Sequence, residues 1–114
     1  MTPNTRGFLS LPVWQLLVAS LALAPSPARA EQDMQQVFQQ GVALFNSDRY
    51  EPALAVFEAV YAARPVPGVL YNIAVCRQEL GRIPESVNAF RRYLAEEAPA
   101  LITPSDRAEI EQAL

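Results

Sequence analysis

The side chains in this chain that could carry chemistry are carboxylates, arginines and one thiol. Its 114 residues include no histidine and no lysine, and Cys76 is the sole cysteine. These absences remove the Ser-His-Asp and Cys-His nucleophile pairs, a Walker lysine, a Schiff-base lysine, and any zinc site that draws several Cys or His ligands from this chain. Paired carboxylates survive that filter, and Glu96 and Glu97 are the adjacent pair. Neighbours in sequence point to different sides of a helix, which is poor geometry for acid and base to share one substrate. Cys76, with no second cysteine or activating histidine, reads as a small buried thiol. Arg91 and Arg92 are the one adjacent basic pair after the leader. Arg92 stands four residues before Glu96, so the spacing predicts a surface ion pair. No catalytic residue, metal site or cofactor is expected.

Two kinds of segment must position these residues. Met1 to Gly7 is polar, with Arg6 as its one basic side chain, and Phe8 to Ala24 is almost wholly apolar. That run is slightly short of the roughly twenty residues a membrane-crossing helix needs. Pro25, Pro27 and then Ala28-Arg29-Ala30 follow, a small-x-small pattern of the kind signal peptidases cleave. The layout predicts a signal peptide over residues 1–30, cleaved after Ala30 with Ala28 and Ala30 as recognition residues. An uncleaved membrane anchor is the alternative. Glu31 stands where a lipoprotein signal would need cysteine, so the mature chain is expected to be periplasmic or secreted, without a lipid anchor. Cleavage would remove Arg6 and Arg29 but no acid, leaving seven arginines against twelve acids, net −5. Such a surface disfavours nucleic acid and anionic membranes as partners.

From residue 31 onward the apolar pattern is helical. Met34, Val37, Phe38, Gly41, Val42 and Phe45 share one stripe, and Asn46 to Arg49 interrupts it with turn-forming residues. Tyr50, Ala53, Leu54, Phe57, Val60 and Tyr61 make a second stripe, with Pro52 in its first turn, and Pro65 and Pro67 are expected to end that helix. The next helix carries Leu70, Ile73, Ala74, Arg77 and Leu80 and stops at Gly81. Another follows from about Pro84, burying Val87, Phe90, Tyr93 and Leu94. Thr103-Pro104-Ser105-Asp106 reads as a capping box opening a last helix over 104–114. No sustained alternation predicts a sheet.

Sliding the chain along itself turns this series into an architecture. One shift superposes Gly41 on Ala74, Asp48 on Gly81, Tyr50 on Ile83, Ala53 on Ser86, Phe57 on Phe90 and Val60 on Tyr93, small on small and large on large. In these positions the chain resembles the tetratricopeptide repeat family, whose unit is a helix-turn-helix of about 34 residues. The departures are Leu44 for the usual tyrosine, Asp48 for the turn glycine and Ser86 for the usual alanine. The resemblance implies an all-α fold, a tandem helix-turn-helix α-solenoid with two repeats, about 34–66 and 67–99, plus a C-terminal capping helix. A generic antiparallel bundle is the alternative.

The resemblance also implies a function. Tetratricopeptide proteins bind an extended peptide or a helix in a concave groove lined by the first helix of each repeat. Phe38, Val42 and Phe45, with Tyr71, Val75 and Gln78, fall at those places, although apolar residues at this spacing also serve as core. Asn72 matches an asparagine of the family's carboxylate clamp. Phe38 and Val42 stand where the first repeat's polar clamp residues would be, so the clamp is not expected, and Asn72 is expected to bond between helices. The implied role is an exported scaffold or adaptor of the bacterial cell envelope with a protein or peptide partner. Alternatives are a positioning module at the front of a longer envelope enzyme or signalling protein, which the uncapped ending at Leu114 favours, and a structural protein that self-associates.

Overall fold

The computed structural model describes residues 26–114. The apolar run and the rest of the predicted leader through residue 25 lie outside the described residues. The chain divides into two units, Met1–Asp33 and Met34–Leu114. Of the first, only residues 26–33 are described, and Ala28 and Ala30 sit there, exposed, on helical backbone.

The described residues are all helical apart from turns: α1 Pro27–Asn46, α2 Tyr50–Ala63, α3 Pro67–Glu79, α4 Ile83–Glu96, a 3-10 turn at Pro99–Leu101, and α5 Pro104–Ala113. No strand occurs among them. α1 ends because Asp48 adopts a left-handed φ of 60°. The Asp48 N–H then reaches the Phe45 carbonyl at 3.0 Å, and the Arg49 N–H reaches that of Leu44 at 2.9 Å. This doubly bonded C-cap satisfies carbonyls that the helix end would otherwise leave open.

The same device recurs at Gly81, the residue that the internal repeat matches to Asp48. Gly81 takes a φ of 75°, its N–H bonds the Gln78 carbonyl at 3.0 Å, and the Arg82 N–H bonds that of Arg77 at 2.8 Å. The helices that follow, α2 and α4, are each 14 residues long and begin at the matched residues Tyr50 and Ile83. Each carries a proline in its first turn, where the missing N–H has no intrahelical partner to lose. Each also closes through its C-cap N–H, Arg64 to Val60 and Glu97 to Tyr93, both at 2.9 Å.

Matched positions are buried alike. Phe57 and Phe90 are each 1% exposed, and Ala53 and Ser86 lie at 0% and 2%. Ser86 offsets its buried hydroxyl by donating to the Ala74 carbonyl at 2.8 Å. The core also takes Leu54, Val60, Val69, Leu70, Ile73, Cys76, Ala89 and Tyr93, with Ile102 and Ile110 from the C-terminal segment. Tyr61, Leu80, Val87 and Leu94, read from spacing as buried, are half-buried at the margin. Pro67 does not close the preceding helix but opens α3, since proline at a first helical position suits the required φ. Thr103 caps α5 as expected. Its hydroxyl accepts from the Asp106 N–H at 3.0 Å, and the Asp106 carboxylate accepts from the Thr103 N–H at 3.4 Å.

Candidate functional site

Cys76 is wholly buried, and burial, with Glu58 and Glu79 nearby, pushes its thiol up to about 11. A thiol held protonated at neutral pH and shut away from solvent is a poor nucleophile. Glu96 and Glu97 are engaged separately. Glu96 accepts from Arg92 at 3.1 Å and from the Tyr61 hydroxyl at 3.1 Å, whereas Glu97 accepts from the Ala98 N–H at 2.9 Å. No group of three or more His, Cys, Asp or Glu placed to hold a metal occurs among the described residues.

The six residues assigned to a binding face occupy equivalent places on α1 and α3, with Phe38 matched by Tyr71, Val42 by Val75 and Phe45 by Gln78. On α1, Phe38 is half-buried with its ring 5.4 Å from Phe57, and Phe45 meets Tyr50 edge-on at 5.2 Å. Val42, between them, packs against the core. On α3, the Tyr71 ring stands 5.8 Å from Phe90 and 5.6 Å from Tyr93, edge-on to both. Val75 is half-buried and Gln78 exposed. No ring contact joins the α1 set to the α3 set among the described residues. The five apolar members thus serve the core along one edge and face outward along the other, and Gln78 is the one fully exposed member.

Tyr71 has a further partner that spacing did not reveal. Its hydroxyl donates to the Glu109 carboxylate of α5. Burial, then that bond, with Asp106 adding, pushes the Tyr71 phenol well above the ordinary range. The contact ties α3 to the last helix across 38 residues of chain, a separation that no local pattern encodes. Asn72 corrects its expectation: its amide reaches the Gly68 carbonyl of its own helix at 3.4 Å, a back-bond within α3.

A second cluster lies on a different face of α3, where sequence reading placed nothing beyond the Arg92–Glu96 pair. Arg92 donates to Glu96 and also to the Tyr61 hydroxyl at 2.8 Å, with its guanidinium 5.5 Å from the Tyr61 ring centre. α2 and α4 are thereby joined through Tyr61, whose hydroxyl donates to Glu96 and accepts from Arg92 and whose ring lies beneath the Arg92 guanidinium, while the Arg92–Glu96 ion pair stays within α4. Arg77 reaches Glu58 at 3.4 Å and the Glu85 carbonyl at 3.4 Å. Neither Arg77 nor Tyr61 could have been assigned from spacing, because both read as interior positions of a helical stripe.

No described helix is long and apolar enough to cross a membrane. Family models, curated proteins and solved structures were each compared with the chain, and none matches it.

Proposed function

We propose that the chain is an exported helical-repeat scaffold of the tetratricopeptide type, a non-enzymatic α-solenoid of two repeats and a capping helix. In this reading a partner peptide or helix binds along the first helices, over Phe38, Val42, Phe45, Tyr71, Val75 and Gln78. One observation carries it: the chain repeats its local geometry at matched positions, in the left-handed residues Asp48 and Gly81 and in the hydrogen bonds that flank them. Stacked units of this kind leave the first-helix faces side by side, and the partly exposed apolar residues there supply contact area. The Ala28-Arg29-Ala30 pattern after an apolar run supports export, because signal peptidases accept small side chains at those two places.

Site-specific photo-crosslinking tests the binding face. A crosslinking residue at Gln78 is expected to trap a discrete protein from an envelope fraction, whereas the same residue at Glu85 on α4 is expected to trap none. Equal trapping at both positions would remove the assignment. Mass spectrometry of the exported chain is expected to give Glu31 as its first residue.

A further inference from the structure

Between α2, α3 and α4 lies a recess of about 320 Å³, whose lining includes Glu58, Leu70, Ile73, Arg77, Asn88 and Arg92. By helical spacing it opens on a different face of α3 from Tyr71, Val75 and Gln78. Its floor is apolar, since Leu70 and Ile73 are 3% exposed and Ala89 is 2% exposed. Its rim holds two guanidiniums. That of Arg77 is only loosely engaged: both its contacts measure 3.4 Å, at least half an ångström longer than a well-formed charge-assisted bond. Its side chain is 28% exposed, so the charge is partly desolvated, and its counter-ion Glu58 stands at 3.4 Å. Arg92 spends Nε and Nη2 on Glu96 and Tyr61, leaving Nη1 with no hydrogen bond among the described residues. The Asn88 amide beside it makes none either.

Two cations with donors to spare, over an apolar floor, suit a carboxylate that carries apolar carbon next to it. Glu58 on the same rim disfavours a dianion such as phosphate, while one carboxylate can take up the Arg77 fork that Glu58 holds only at 3.4 Å. The recess is open to solvent and at the small end of ligand pockets, so it suits a side chain held in place by a larger partner better than a free small molecule. We propose that it seats an acidic side chain of a partner protein. The carboxylate lies against Arg77 and Arg92, and a neighbouring leucine-type side chain rests on Leu70 and Ile73. This site stands apart from the first-helix face and does not rest on the reading above.

The test uses the full 114-residue chain and two probe peptides, acetyl-Leu-Glu-Leu-amide and its Gln counterpart, with 4-methylpentanoate as a free carboxylate. The guanidinium Nε–H resonances of Arg77 and Arg92 are expected to shift saturably with the Glu peptide. Binding of the Gln peptide is expected to be at least tenfold weaker, and 4-methylpentanoate to give no saturable shift. Arg92→Gln is expected to weaken the Glu peptide at least tenfold. Asn88→Leu, an exposed change that leaves the core untouched, is expected to weaken it severalfold. Equal binding of the Glu and Gln peptides, or unchanged binding by both variants, would overturn the proposal. Saturation by 4-methylpentanoate alone would overturn the assignment to a protein side chain.

Discussion

A methyl group built on Gly41 would stand 2.8 Å from Cε1 of Phe57 and 3.0 Å from Cγ1 of Val56. The Phe57 ring is 1% exposed and packed at a tilt against Phe38, so it has no free direction in which to yield. Gly41→Ala is therefore expected to destabilise the fold by about 1–3 kcal/mol despite the better helix propensity of alanine, as a lower urea midpoint. Gly81 has nothing within 4 Å of its missing Cβ but holds a φ of +75°. Gly81→Ala should cost about 1–2 kcal/mol through backbone strain alone. The reverse exchange follows at the matching residue, for Asp48 holds a φ of 60° with a side chain. Asp48→Gly is expected to cost less than Gly81→Ala, or to stabilise, although the Tyr50 hydroxyl loses its 2.9 Å partner to water. A larger loss on Asp48→Gly than on Gly81→Ala would contradict the idea that the two turns are one device.

At the scale of elements, what could be read in the chain was whatever neighbours in sequence decide. Gly81 as a helix stop, Pro52 in a first turn and the Thr103–Asp106 box depend on a few adjacent dihedrals, and each is where it was expected. The 3-10 turn at Pro99–Leu101 was not read, because it is set by the need to return Ile102 and Ile110 to the core. Pro67 was misjudged because proline ends one helix and begins another by the same fixed φ. α5 gives the sharpest check, as a ten-residue helix too short to persist alone. Ile110 is its one fully buried side chain, and Ile110→Ala is expected to cost about 2–5 kcal/mol. Thr103→Ala should cost about 1 kcal/mol, with hydrogen exchange rising first in residues 104–113. An exchange pattern in α5 unchanged by Ile110→Ala would show that the helix does not depend on that anchor.

For the whole molecule, the all-helical frame was legible while the contacts between its helices were not. The first-helix residues could be placed by register, but their aromatic packing and the Tyr71–Glu109 tie depend on which helices meet in space. The recess beside Arg77 and Arg92 draws on three helices at once, so no single stripe announces it. Long-range packing also fixes how stability responds to pH. The Cys76 thiol is raised from 9.0 to about 11 by burial, with Glu58 and Glu79 adding. Between those values the unfolded chain loses its proton while the folded chain keeps it, so stability is full below about pH 9 and falls as pH rises toward 11. The gap between the two values corresponds to a loss of about 2–3 kcal/mol by pH 11. Three tyrosines act in the same direction above pH 10: Tyr50 through its bond to Asp48, and Tyr71 and Tyr93 chiefly through burial. Urea denaturation of the native chain and of Cys76→Ala therefore separates the contributions. The native chain is expected to lose stability from about pH 9, while Cys76→Ala, though less stable at pH 8, is expected to hold level until about pH 10. Parallel curves for the two proteins between pH 8 and 10 would mean that the thiol is not what titrates, and that the buried position of Cys76 is not coupled to folding through its proton.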